Sequence, residues 1–149
     1  MTVKRGELIE LEPGEELLAV ARASFRGAAG VSVRATFALG SGRMRLRAFD
    51  DWHDAAIVSG FPHVPPDMVV AATDQRVLFG KPTFWGGTPS RYSGAVELGR
   101  LAEIIAVSHG LLTGVAFAFK DGAIVEIEAI RGRRLRRLVL VVDGLLARK

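Results

Sequence analysis

Apolar and polar residues alternate over much of this chain, and the pattern is clearest from Met68 to Phe79, MVVAATDQRVLF. Two β-type runs flank a polar break at Thr73, Asp74, Gln75 and Arg76. Val69, Val70, Val77 and Phe79 are the β-branched and aromatic types that suit a pleated, half-buried surface. Asp at the break can hydrogen-bond the backbone ahead of it, but the glycine of a two-residue turn is missing, so a longer or bulged turn is expected. No proline interrupts either run, which suits a central hairpin.

A second hairpin is read from Leu112 to Ile130. Val115, Phe117 and Phe119 alternate with Ala116, Ala118 and Lys120, Asp121-Gly122 supplies the turn, and Ala123 to Ile130 returns. Asp-Gly between alternating runs is a strong hairpin signature because glycine accepts the positive φ the turn needs. Val125 and Ile127 face one way and Glu126 and Glu128 the other, so one side of this sheet is wet. Shorter strands are expected at Leu17 to Phe25, Gly94 to Leu98 and Ala102 to Ser108, although Leu17 to Phe25 also admits a helix.

Leu135, Leu138, Val139, Val142, Leu145 and Leu146 recur at helical spacing, which predicts a helix over 133–147 whose apolar stripe docks on the sheet. Residues 27–66 read as an insertion. Within it, Val31 to Leu39 has a period-2 pattern, and Arg43 to Val58 predicts a helix with Leu46, Phe49, Trp52, Ala56 and Ile57 on one side. Gly60 and Pro62 supply its stop, and Trp52 is expected in the core. Lys81 to Ser93, KPTFWGGTPSRYS, is a Gly- and Pro-rich loop. Its Phe84 and Trp85 either fold back over the sheet or contact a partner.

Composition narrows the class. The chain has 149 residues, enough for one domain with its own core, and no cysteine, which excludes disulfides, thiolate metal sites and a cysteine nucleophile. No signal peptide or membrane-spanning run is visible, so a cytoplasmic location is expected, with a peripheral position at the membrane as a variant. The net charge of +4 is unevenly spread. Residues 1–16 carry −3, 17–49 carry +6, 50–130 carry −5 and 131–149 carry +6. Arg133, Arg134, Arg136 and Arg137 fall off the apolar stripe at the helix start, where positive charge opposes the helix dipole. They either pair with acids such as Glu126 and Glu128 or meet an external anion. Leu140 and Val141 lie on the arginine side, which would suit an amphipathic contact.

Seven β-runs outside the insertion followed by one amphipathic helix resemble the pleckstrin-homology-like architecture, and the chain is similar to bacterial, actinobacterial-type members of that superfamily. The segments that carry the likeness are LEPGEELLAVA, AATDQRVLFGK, ELGRLAEIIAV and GLLTGVAFAFKDGAIVEIEAIRGRRLRRL, covering most of residues 8–147 apart from the insertion. The resemblance implies a mainly β, α+β fold: a bent antiparallel barrel capped by the C-terminal helix, with a helix-containing insertion after the first strand. It also implies a binding module for protein contact, self-association or anionic lipid. Lipid-binding members cluster Lys and Arg around the loop after the first strand. Here that loop would be the insertion, whose Arg26, Arg34, Arg43, Arg45 and Arg47 lack the compact pattern, which argues against phosphoinositide recognition there.

Catalytic signals are weak. His53, His63 and His109 sit at no metal-ligand spacing, Gly40-Ser41-Gly42 is not a full nucleophile elbow, and no phosphate-cradling Gly-Lys-Ser/Thr loop occurs. The expectation is a non-enzymatic scaffolding module without cofactor, acting on a protein partner or on itself through the open sheet edge or the loop at Phe84 and Trp85. The alternative is a peripheral module in which Arg133, Arg134, Arg136 and Arg137 meet anionic lipid, at about 1 kcal/mol per basic residue. Nucleic acid is disfavoured, because no stacking aromatics interleave with the basic run.

Overall fold

A computed structural model describes residues 8–27, 41–83, 89 and 91–148. Its strands are β1 (Leu17–Phe25), β2 (Asp67–Thr73), β3 (Arg76–Gly80), β4 (Gly94–Glu97), β5 (Leu101–His109), β6 (Leu112–Phe119) and β7 (Ile124–Ile130), and its helices are α1 (Ser41–Val58) and α2 (Arg133–Ala147). The strands form one antiparallel sheet in the order β4-β3-β2-β1-β7-β6-β5. The fold is therefore mainly β, with a helix after the first strand and another after the last.

Both hairpins stand where the alternation places them, but their turns are built differently. At the β6–β7 turn Gly122 takes φ 95°, and Asp121 Oδ1 accepts the Ala123 N–H at 2.9 Å. At the β2–β3 turn Thr73, rather than Asp74, organises the backbone. Thr73 Oγ1 accepts the N–H groups of Gln75 and Arg76 at 3.1 and 3.0 Å. Asp74 instead accepts the N–H of Glu16 at 3.0 Å, tying the turn to the segment ahead of β1.

The inward residues of both half-sheets make one core, in which Phe25, Phe79, Phe117 and Ile127 are fully buried. Leu135, Leu138, Val139 and Val142 of α2 complete it, as the stripe predicts, while Val141 also packs against the core. Leu140 alone of the arginine-side pair is exposed, at 72 %. Helix α1 lays Phe49, Trp52 and Ala56 toward the body, with Phe49 and Phe25 ring centroids 5.5 Å apart. Leu46, expected on that side, is exposed, because it lies a turn nearer the helix start than Phe49. Trp52 is half-buried, and its indole N–H reaches the Glu126 carbonyl at 3.0 Å. Past Val58 the chain turns through Gly60, at φ 88°, with Phe61 N–H on Ala56 O and Gly60 N–H on Ile57 O, both at 2.9 Å. This paired capping needs a left-handed residue, which glycine supplies without strain.

A second apolar layer covers the outer face of β1–β3. Ala71, Leu78 and Tyr92 are buried there under Ile9, Leu17, Val20 and Ala95. A bulge between Leu17 and Ala19 breaks strict alternation in β1, which lets both Leu17 and Val20 join this layer. Tyr92, at the end of the Gly- and Pro-rich loop, pairs backbone to backbone with Ile9.

The expected barrel is an open sheet. No ladder joins β4 to β5, and the chain passes from one to the other through a single 3-10 turn at Leu98–Arg100. Residues 60–63 fill that corner instead. Arg100 donates to the Gly60 carbonyl at 2.9 Å, and a Cβ on Gly94 would stand 2.6 Å from the Pro62 Cβ.

Candidate functional site

Two surface features survive as candidates, and each follows from how the sheet is joined. The first is the start of α2. After β7 the chain turns at Arg131, whose φ of 56° is left-handed, and then at Gly132. Gly132 is buried, with φ −49° and ψ 49° outside the helical and extended regions, and it needs space as well. A Cβ there would meet the Thr113 Cβ at 2.7 Å. Gly132→Ala should lower stability by about 1–3 kcal/mol through overpacking, read as a reduced denaturant midpoint. A midpoint equal to the parent protein's would show that β6 can move aside.

Arg133, Arg134, Arg136 and Arg137 are all exposed. The expected pairing with Glu126 and Glu128 does not form. Those carboxylates lie on the wet side of β7, opposite the side on which Val125 and Ile127 meet the core with α2. Glu126 is taken by Arg26, and Glu128 accepts the Gly27 N–H at 2.8 Å. Among the described residues none of the four arginines reaches a carboxylate; Arg136 donates to Ser108 Oγ.

Their surroundings bring in residues that the linear pattern does not single out. Strands β1 and β7 pair at Ser24–Glu128 and Phe25–Ile127, and the ladder stops there. Continuing the register would set Arg22 opposite Ile130, but the strands part. The parting opens a cleft of about 330 Å³, lined by Val20, Arg22, Val69, Ile130, Arg131, Arg133 and Arg134 among others. A neighbouring hollow runs from Leu17 to Val20 past Arg134 and Arg137. Arg22 is separated from Arg133 by most of the chain, so only the end of the ladder could have revealed their proximity. Its outward place on β1 was legible, since Ala21 and Ala23 beside it face the core.

The second feature is the free side of β5. This nine-residue strand pairs with β6 alone, and among the described residues no other strand bonds to it; the Leu101 N–H at its start donates to Leu98 O of the preceding turn. It contains one charged residue, Glu103, and no proline, lysine or arginine. Ile105 and Val107 are exposed at 41 % and 46 % on the wet face. Beside them Gly114 and Ala116 of β6 keep the surface low, and a groove of about 290 Å³ runs to Glu126 and Glu128. The opposite edge differs, because β4 is four residues long and begins against Pro62.

No protein-family model matches the chain, and no curated protein matches it. The two surfaces must therefore be read on their own chemistry.

Phe84 and Trp85 lie outside the described residues. His53 and His63, ten residues apart in sequence, are brought together with ring centroids 5.2 Å apart. His53 Nε2 accepts the Val64 N–H at 3.3 Å, a structural use of that nitrogen. Among the described residues no group of three His, Asp or Glu could hold a metal, and no helix is long and apolar enough to cross a membrane.

The strongest electrostatic arrangement is elsewhere and structural. Glu15 Oε1 and Oε2 accept Arg76 Nη2 and Nε, each at 2.9 Å, and Thr73 Oγ1 donates to Oε2 at 2.6 Å. The guanidinium hydrogen bonds, with help from Thr73 and the Glu12 N–H, outweigh desolvation and hold the Glu15 carboxyl down at about 2. Burial, and then the Glu15 charge, push the Tyr92 phenol up.

Proposed function

We propose that this chain is a non-enzymatic scaffolding module of the pleckstrin-homology-like kind, acting by adding an extended protein segment to the free side of β5. The strand order and the helix after β7 support that family reading. The observation that carries the mode of action is this nine-residue edge, whose free side is met by no other strand among the described residues. An unpaired strand offers a row of backbone donors and acceptors, and proteins usually blunt such edges with lysine, proline, a bulge or a covering loop. Here the only irregularity lies at the Leu101 end, and Ile105 and Val107 add apolar contact where a new strand would sit. Backbone pairing supplies affinity and the shallow floor at Gly114 and Ala116 supplies room for side chains.

A second copy of this chain is the partner the edge itself provides, because two antiparallel β5 strands pair about a two-fold axis. Light scattering across a concentration series tests this. The parent protein should approach twice the monomer mass, and Ile105→Lys with Val107→Lys should remain monomeric with the same melting temperature. A parent protein that stays monomeric at every concentration, or a double variant that still dimerises, rejects the reading.

A further inference from the structure

We infer that the cleft between β1 and the start of α2 is a binding site for a phosphate monoester dianion. Arg22 comes from the strand, Arg131 from the turn, and Arg133 and Arg134 from the helix, so three separate elements contribute arginines to the lining of one concavity. No aspartate or glutamate lines it or the adjoining hollow. Four like charges brought together without a counter-charge repel one another, and neither packing nor the helix dipole accounts for them. The turn is also strained in their favour: Arg131 occupies a left-handed conformation that glycine would adopt at lower cost. A doubly charged, three-oxygen group answers this arrangement, since guanidinium forks bind phosphate oxygens in pairs. A single carboxylate would leave most of the positive charge uncompensated. The N–H groups of Arg134 and Leu135 add donors at the rim, because the first helical bond runs from Arg136 N to Gly132 O and no side chain caps the helix.

The cleft's volume of about 330 Å³ lies at the small end of ligand pockets, enough for a phosphate and a modest substituent. Val20 and Val69 give that substituent apolar walls. The phosphate could come from a soluble ester or from a lipid headgroup. This site is independent of the β5 edge, and substitutions at Ile105 and Val107 leave it unchanged.

The test titrates the full chain with phenyl phosphate by calorimetry, and sediments it with phosphatidylcholine vesicles that carry or lack phosphatidic acid. One-to-one binding of phenyl phosphate is expected, with Arg22→Gln and Arg133→Gln each weakening it about tenfold. Arg148→Gln, at the far end of α2, should bind as the parent does. Arg131→Gly should lose affinity while its melting temperature holds or rises, a combination that a merely structural arginine would not give. Binding of phenyl phosphate together with phosphatidic acid vesicles assigns a lipid source, and binding of phenyl phosphate alone assigns a soluble one. Absence of phenyl phosphate binding, or binding indifferent to Arg22→Gln and Arg133→Gln, overturns the assignment.

Discussion

Replacing Arg76 with methionine should destabilise the protein by about 3–5 kcal/mol at neutral pH, because it strands a buried carboxylate. The Glu15 side chain has no exposed surface, and the Arg76 side chain has 10 %. The same guanidinium also donates to the Glu10 carbonyl at 2.9 Å, so its loss frees the segment over the outer face of the sheet. Acid should reproduce the effect. Glu15 is held at about 2 against an ordinary 4.5, so its contribution is present above pH 4.5 and lost as pH falls toward 2. That difference corresponds to about 3 kcal/mol. Urea denaturation of the parent and Glu15→Gln from pH 7 to pH 2 checks both points. The parent should be the more stable at pH 7, and the gap should close by about pH 2. A gap of constant size across the series would mean that the carboxylate's ionisation contributes nothing.

Phe61→Ala should cost a similar amount, about 3–5 kcal/mol, by opening a cavity at the meeting point of the aromatic core. The Phe61 ring lies 4.9 Å from Phe79, 5.6 Å from Phe117 and 6.0 Å from Trp52, centroid to centroid. It therefore joins the two half-sheets to α1. Chemical denaturation gives the loss, and increased amide exchange in α1 should accompany it as the helix loosens. Phe61→Leu retains much of the volume and should cost markedly less. An alanine variant within about 1 kcal/mol of the parent would place the weight of α1's docking on Trp52 instead.

Where the determinants are local, the sequence was enough. The hairpins, α2 from 133 to 147 and the helix in the insertion all follow from alternation, helical spacing, the Asp-Gly turn and the Gly60 stop. Sheet closure was not legible, because it depends on what occupies the corner between β4 and β5, and Pro62 against Gly94 has no signature in either stretch. The Glu15–Arg76 pair spans 61 residues and also lay beyond any local pattern. Among the candidate site residues, the helical arginines were visible as charges off the stripe, but their lack of acid partners among the described residues was decided by β7 alternation together with Arg26. Arg22 and Arg131 join them through the end of one ladder.

That ladder has a wider consequence. With β1 and β7 paired at Ser24–Glu128 and Phe25–Ile127 alone, the backbone hardly fastens one half of the sheet to the other. The fastening passes instead to side chains: Phe61 between the half-sheets, and α2, which packs on β1 and β2 on one side and β5 and β6 on the other. Cooperative unfolding should thus depend on the grease beneath the last helix, and a chain trimmed before Arg133 should hold its two ribbons together through little more than the rings around Phe61.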